Sequence, residues 1–190
     1  MCGRYYIAEE DSAAELQEII EQLNRRGAEV KTGEIYPTDT VPVLANSRSL
    51  VITPFAMKWG YTMPDGKQII NARSETAADK SLFRDGMLQR RCLIPATNYF
   101  EWEKRGRERI KYAIRQSDSP IMYMAGVYRI ENGKPVFSIL TREPAENIAF
   151  IHNRMPVILP SEAKDDWLNV RYKAGEVLKA SSLIVSFSSL

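Results

Sequence analysis

Apolar residues follow a helical period near the start of the chain and a strand-like alternation over most of the rest. The helical stretch places four apolar residues on one face, which predicts a core-facing helix: Leu16, Ile19, Ile20 and Leu23. Ser12-Ala13-Ala14-Glu15 has the pattern of a capping box at its beginning, and Gly27 is suited to its end. Farther along, alternating runs predict seven strands, over 40–45, 50–57, 91–94, 99–104, 109–115, 121–130 and 135–141.

The connections favour antiparallel pairing. Asn132-Gly133, between the last two strands, is typical of a type I′ hairpin turn. Shorter helices are predicted over 76–88, 144–150 and 161–169, with Trp167 and Leu168 of the last one facing inward. Consecutive strands with helices at irregular intervals predict an α+β fold. We expect a single domain over residues 1–190, with a curved, barrel-like, mainly antiparallel β core and peripheral helices.

Composition narrows the class of protein. The chain has 190 residues, of which 44% are hydrophobic, enough for one sizeable core. No apolar run approaches the roughly 20 residues that span a bilayer, and the polar N-terminus is unlike a signal peptide, so a cytoplasmic protein is expected. Two cysteines and one histidine do not make a convincing zinc site, so we expect no metal. The net charge is only +2, so any nucleic-acid binding must be local.

Cys2 is the most informative residue for chemistry. Removal of Met1 would give it a free α-amine beside its thiol. An aldehyde can form an imine with such an amine, after which the thiolate closes a five-membered thiazolidine ring. The alternative is that Cys2 is a small hydrophobic residue in the core. Cys92, next to Leu93-Ile94, is interpreted as a packing residue.

A polar segment, Asn71-Ala72-Arg73-Ser74-Glu75-Thr76, follows the apolar pair Ile69-Ile70. If it is a strand-to-helix junction, Asn71 could orient a nucleophile and Arg73 could hold a phosphate or a carboxylate. If it is only structural, Ser74 caps the helix and Arg73 pairs with an acid. The spacing of these residues alone does not decide between the functional and the structural interpretation.

Glu101 and His152 are candidates for proton transfer. In an alternating strand Tyr99, Glu101 and Glu103 share one face, which places Glu101 among aromatic residues where desolvation favours such a role. The alternative is an exposed glutamate on a strand face. His152 is the only histidine, and its polar, cationic neighbourhood argues against a role in the core.

Taken together, these segments resemble the SRAP family, the abasic-site processing proteins that include the bacterial SOS response-associated peptidases. The matching residues run in family order from residue 2 to residue 156. They are Cys2-Gly3-Arg4, Trp59-Gly60, Asn71-Ala72-Arg73-Ser74-Glu75-Thr76, Arg91-Cys92-Leu93-Ile94-Pro95-Ala96, Glu101-Trp102 and His152-Asn153-Arg154-Met155-Pro156.

The resemblance implies a protein of the bacterial cytosol or nucleoid that binds single-stranded DNA in a positive groove and links covalently to abasic sites, without a cofactor and as a monomer. It makes Cys2 the nucleophile, Asn71 its positioning residue, and Glu101 and His152 the proton-transfer groups. Phosphate contacts are expected from Arg4, Arg73 and Arg154. An aromatic or apolar side chain usually separates the bases beside a lesion, and we expect Trp59, Tyr61 or Met63 to do so here.

Three functions remain in competition. The first is an abasic-site crosslinking protein with possible lyase character, because an imine at the sugar also permits β-elimination. The second is an N-terminal-nucleophile cysteine peptidase or amidohydrolase, of which self-removal of Met1 would be a limited form. The third is a non-enzymatic single-stranded-DNA-binding domain.

Overall fold

A computed structural model describes residues 2–8, 14–181 and 184–190. Within these parts of the chain there are fifteen strands and four α-helices. The strands are β1 (Tyr5–Ile7), β2 (Gly33–Ile35), β3 (Thr40–Asn46), β4 (Ile52–Trp59), β5 (Tyr61–Thr62), β6 (Gln68–Ile69), β7 (Asn71–Arg73), β8 (Arg91–Ala96), β9 (Asn98–Arg105), β10 (Glu108–Gln116), β11 (Met122–Glu131), β12 (Lys134–Arg142), β13 (Met155–Pro156), β14 (Ile158–Leu159) and β15 (Val185–Ser189). The helices are α1 (Ala14–Asn24), α2 (Ser81–Gln89), α3 (Lys164–Leu168) and α4 (Ala174–Lys179), with 3₁₀ turns at Glu146–Ile148 and Ser161–Ala163.

Five of the strands close into a barrel. β12 pairs with β4, β4 with β3, β3 with β8, β8 with β11, and β11 again with β12. Only the β12–β4 pair is parallel. Closure leaves these strands without a free edge, and β7, β13 and β14 extend the barrel at β12 and β11. The predicted α+β fold with a barrel-like, mainly antiparallel core is confirmed.

A second, fully antiparallel sheet has the strand order β15-β10-β9-β1-β2. Its inward face buries Tyr5, Tyr99 and Ile114. The ring of Tyr5 lies 5.1 Å from that of Trp59 at the end of the barrel strand β4, so this sheet packs on the barrel through aromatic residues. The chain start, β7 and β9 meet at this junction.

The helix with the clearest apolar stripe forms as predicted, and so does the inward orientation of Trp167 and Leu168. In α1 the four apolar residues are buried, and Gly27 follows the helix with a φ of 71°. Ser12 and Ala13 of the proposed capping box lie outside the described residues. Trp167 and Leu168 are also buried in α3.

All seven predicted strands are confirmed with bounds that differ by no more than two residues. The hairpin after β11 is confirmed as well, since Asn132 and Gly133 have φ values of 49° and 77°. The strand predicted over 50–57 begins only at Ile52, because Leu50 has a φ of 59° in the preceding turn.

Three helix predictions are wrong in extent. The helix expected over 76–88 begins at Ser81, the one over 144–150 is the 3₁₀ turn Glu146–Ile148, and the one over 161–169 is a 3₁₀ turn followed by α3. The expected strand-to-helix junction is therefore a strand followed by turns. The Ser74 amide donates to the Thr141 carbonyl over 2.9 Å, and Ser74 does not cap a helix.

Gly126 lies where two barrel strands approach closely. A Cβ placed on it would be 2.5 Å from Cδ1 of Ile94 and 3.0 Å from the Ser138 carbonyl oxygen. We expect Gly126→Ala to lower the free energy of unfolding by about 1–3 kcal/mol, because overpacking forces neighbours off their rotamers. The measurement is urea unfolding followed by circular dichroism.

Gly175→Ala is the matched control. Gly175 lies in α4, and apart from its chain neighbours and the backbone of that helix no atom lies within 4 Å of an added Cβ, so alanine there should raise the free energy of unfolding by about 0.5–1 kcal/mol. A Gly126→Ala variant as stable as the wild type would contradict close packing at this point of the barrel.

Candidate active site

Cys2 lies at the junction between the barrel and the five-stranded sheet. Its side chain is fully buried, and Sγ points to the carbonyl oxygen of Arg4 over 3.9 Å. Burial raises the pKa of the Cys2 thiol, and the neighbouring charge of Glu101 raises it further. Because the thiol form then dominates at neutral pH, attack by this sulfur requires a group that accepts its proton.

Asn71 holds the backbone at Cys2. Its Nδ2 donates to the Cys2 carbonyl oxygen over 2.8 Å. Asn71 is the first residue of β7, and the parallel pairing of β7 with Ile139–Thr141 of β12 fixes its position on the barrel. One hydrogen bond thus ties the first residues of the chain to a strand that lies 69 residues farther along.

Glu101 is buried beside Cys2. Only 4% of it is exposed, so the alternative of a solvent-facing glutamate does not hold. It lies in β9 directly opposite Tyr112 of β10. Its charge is close enough to raise the pKa of both the Cys2 thiol and the Tyr99 hydroxyl.

Two tyrosines near the thiol were not singled out from the sequence. Tyr5 and Tyr99 face each other across β1 and β9. Their hydroxyls are buried, with no hydrogen-bond partner among the described residues. Burial raises the pKa of both hydroxyls, and the nearby Cys2 raises it further. They are therefore neutral O–H donors beside Cys2.

His152 follows the 3₁₀ turn Glu146–Ile148 in a half-buried loop. Its Nδ1 accepts a hydrogen bond from the backbone N–H of Arg154 over 3.1 Å. In the neutral ring this leaves the proton on Nε2. Proton exchange with a substrate would therefore involve Nε2.

Arg154 is held in a bidentate ion pair with Glu75, with both N···O distances 2.8 Å. It also donates to the Thr141 carbonyl over 2.6 Å, and 13% of its side chain is exposed. Arg154 holds the pKa of Glu75 below its usual range. Planar bidentate recognition of a carboxylate is the geometry that an arginine also offers to a phosphate.

The other expected DNA contacts lie in different environments. Arg73 is exposed on β7. Arg4 is half-buried, in an ion pair of 3.0 Å with Glu34. Trp59 is fully buried, stacks on Phe137 and donates from Nε1 to the Ile70 carbonyl over 3.0 Å. Its ring presents no surface to a base, so Trp59 is not part of the DNA contacts proposed below.

Known proteins share much of this sequence. A model of the family described as SOS response associated peptidase (SRAP) matches residues 1–188. The chain belongs to the SRAP family. The abasic site processing protein YoqW of Bacillus subtilis is 32% identical to it over 186 residues, which covers 89% of this chain and 80% of YoqW. The abasic site processing protein YedK of Escherichia coli is 30% identical over 176 residues, covering 88% of this chain and 79% of YedK.

The SRAP fold is also seen in solved structures. A crystal structure of a protein from Bacteroides thetaiotaomicron aligns over 100% of this chain and 92% of its own, with a TM-score of 0.78 at 23% identity. That likeness concerns the fold.

In this SRAP protein the structure groups Cys2, Asn71 and Glu101 in one buried cluster. His152 and Arg154 share a loop, and Glu75 joins that loop to the segment that carries Asn71. In the described ranges no three acidic, histidine or cysteine side chains are grouped as metal ligands would be. None of the helices in those ranges has the length and apolar character needed to cross a membrane.

Proposed function

We propose that this protein processes abasic sites by binding single-stranded DNA and forming a thiazolidine crosslink to it through Cys2, once Met1 has been removed. The observation that carries the proposal is the buried cluster in which Asn71 holds the Cys2 backbone and Glu101 lies beside its thiol. The names of YoqW and YedK support abasic sites as the substrate class.

The chemistry needs no oxidant or reductant. The Cys2 amine attacks the aldehyde carbon of the ring-opened sugar, and the aldehyde oxygen leaves as water, which gives an imine. Sγ then bonds to the same carbon while the thiol proton ends on the nitrogen, which closes the five-membered ring. Both nucleophiles belong to one residue, so the second step is intramolecular and favoured by proximity.

Each neighbouring side chain has a proposed role. Glu101 accepts the thiol proton and delivers protons to the departing oxygen. Tyr5 and Tyr99 donate hydrogen bonds to the sugar oxygens that enter the buried cluster, since their hydroxyls have no partner in the described part of the chain. His152 assists proton transfer through Nε2, and Asn71 fixes the backbone from which both nucleophiles project.

Phosphate contacts are assigned to the arginines near the cluster. Arg73 is exposed, so it can meet a phosphate directly. Arg154 and Arg4 are each paired with a glutamate. A phosphate reaching either one must share or replace that carboxylate.

Two further activities use the same cluster. An imine at the sugar carbon acidifies the neighbouring C–H and permits β-elimination, which would be lyase activity. The family description names a peptidase, so attack of Cys2 on the Met1–Cys2 amide is a second candidate. Retention of Met1 by a Cys2→Ala variant in an aminopeptidase-free translation system, with loss of Met1 from wild type, would support self-processing.

The test of the main proposal compares two strands. Processed protein is incubated with a single strand that contains one abasic site, and with the same strand after borohydride has reduced its aldehyde to an alcohol. We expect a denaturation-resistant adduct with the first strand only, seen by gel and by intact mass. Equal yields on both strands would show that the aldehyde is not the target.

A further inference from the structure

A pocket of about 250 Å³ lies on the barrel between the β3–β4 turn, the end of α2 and the start of β8. Its polar lining includes Asn46, Ser47, Arg48, Gln89 and Arg91. Two of these residues are arginines, and within the described parts of the chain no aspartate or glutamate lines the pocket. We call it the Arg91 pocket. Its excess of positive charge indicates an anionic ligand.

Arg91 is a buried cation in this pocket. Only 5% of it is exposed, and it forms no ion pair with any residue that the structure describes. Its guanidinium donates to the carbonyl oxygens of Met87 over 2.8 Å, Tyr172 over 2.9 Å and Trp167 over 3.4 Å. These bonds use three of its five N–H groups and offset its charge with backbone dipoles alone. Because a buried charge is costly unless it is paired, an anion in the pocket would stabilise the folded protein.

The same bonds hold the guanidinium in place. Met87 and Trp167 lie in the last turns of α2 and α3, where helix carbonyls lack partners within the helix. Arg91 therefore joins the ends of two helices. A cation fixed in this way, with two N–H groups still uncommitted, is preorganised for a ligand.

Arg48 adds a second positive charge at the edge of the pocket. It is exposed in the turn between β3 and β4, and it has no ion-pair partner in the described ranges. In the same turn the Ser47 hydroxyl accepts from the Val51 backbone N–H over 3.3 Å, so its own hydrogen can be donated. Two arginines and a hydroxyl around one small pocket are suited to the several oxygens of a phosphate.

The rest of the lining indicates what the phosphate is attached to. Nδ2 of Asn46 donates to the Leu168 carbonyl over 2.8 Å, which leaves the amide oxygen as an acceptor for a hydroxyl. Leu50, Leu168 and Val170 provide apolar surface for a short carbon chain. Drug-sized ligands fill pockets of about 300 Å³ or more, so this one suits a smaller molecule.

We propose that the Arg91 pocket binds a small phosphate monoester that carries hydroxyl groups, with its phosphate on Arg48 and Arg91. This site is separate from the proposed crosslinking site. Arg91 begins β8, whereas Ala96 at the other end of that strand leads into β9 and the buried cluster around Cys2. The proposal does not rest on the proposed function, and its main tests need no DNA.

Calorimetric titration provides the first test. The probe is glycerol 3-phosphate, which has no aldehyde that Cys2 could capture. We expect one site per chain, weaker binding of inorganic phosphate at the same site, and no binding of glycerol. Arg48→Gln should weaken binding of glycerol 3-phosphate by about tenfold, the loss of one hydrogen bond to a charged group.

Arg107→Gln is the matched control, because Arg107 is exposed in the turn before β10 and does not line the pocket. It should bind glycerol 3-phosphate as wild type does. Equal weakening in Arg48→Gln and Arg107→Gln would overturn the assignment of the phosphate to this pocket. Binding of glycerol 3-phosphate no tighter than that of glycerol would overturn the proposal as a whole.

A second test follows Arg91 itself. Arg91→Lys keeps the charge but loses the planar set of N–H groups, so binding should weaken at least tenfold by the same measure. Should that variant not fold, NMR of wild type gives the answer. The Arg91 Nε–H resonance should shift on addition of glycerol 3-phosphate, whereas the Nε1–H resonance of Trp59, at the far end of β4 from the pocket, should not. An unmoved Arg91 resonance at saturating ligand would refute the proposal.

Competition with DNA distinguishes this pocket from a DNA-binding surface. A lesion-free single strand without a terminal phosphate should leave the Kd for glycerol 3-phosphate unchanged. If the strand displaces glycerol 3-phosphate, the pocket belongs to the DNA-binding surface and the proposal is wrong. Failure of wild type to form an adduct with abasic DNA would refute the proposed function and leave the phosphate site standing.

Discussion

Replacing Glu101 with glutamine is expected to slow adduct formation by about 10²- to 10⁴-fold, the range that a positioned general acid or base contributes. Glutamine keeps the size of the side chain but cannot accept the proton of the Cys2 thiol. Since Glu101 is buried beside that thiol and is not proposed to touch a phosphate, non-covalent affinity for DNA should stay close to that of wild type.

The measurement is single-turnover adduct formation at saturating DNA, together with anisotropy binding to a lesion-free strand. Glu103→Gln is the matched control, because Glu103 lies two residues along the same strand face, where its carboxylate accepts from Tyr112 and Arg105. It should react at nearly the wild-type rate. A Glu101→Gln variant whose only defect is weaker binding would contradict the proton-transfer role.

His152→Ala is expected to slow formation or reversal of the same adduct, again with little loss of affinity. Its ring is oriented through Nδ1 by the Arg154 backbone. His152→Gln offers a side-chain amide in place of the ring but cannot titrate near neutral pH. Comparison of the pH profiles of the two variants with wild type would separate proton transfer from mere packing.

Local pattern predicted the long elements of this fold and missed the short ones. The apolar stripe of α1 and the alternation of apolar and polar residues in β8 to β12 involve residues that are close in sequence. The spacing of apolar residues therefore predicts these elements. β7 has three residues and is a strand only because it pairs with β12, about 70 residues later. The segment interpreted as a strand-to-helix junction is therefore a short strand paired with the barrel strand β12, and no local signal distinguishes the two structures.

The candidate site also has some features that the sequence predicts and others that depend on the tertiary structure. The resemblance supplied Cys2, Asn71 and Glu101, and the structure places them together. Trp59 was one of three residues expected to separate the bases beside the lesion, whereas barrel closure buries its ring against Phe137 and Tyr5. The ion-pair partner of Arg154 could not be predicted. The pair with Glu75 forms only because two loops 79 residues apart in sequence meet in the fold. Burial and pairing of this kind follow from tertiary structure.

Cys2→Ser, in protein from which Met1 has been removed, is expected to lose the spontaneously stable adduct altogether. Serine keeps the α-amine, so the imine with the sugar aldehyde still forms. Its hydroxyl is a much poorer nucleophile for ring closure than a thiolate. The variant should therefore give no crosslink that survives denaturation alone, and a crosslink when borohydride reduces the imine.

A form that retains Met1 is the complementary case, because its Cys2 nitrogen is an amide and cannot form an imine. We expect no thiazolidine from it, even though its thiol is intact. Intact mass before and after reaction establishes which form reacted, and reaction at saturating DNA removes differences in affinity. If Cys2→Ser gives neither product while wild type crosslinks well, the amine is not the first nucleophile. If protein shown to keep Met1 throughout forms the same stable adduct at Cys2 as processed protein, the reaction does not pass through an imine at that residue, and the thiazolidine mechanism must be abandoned.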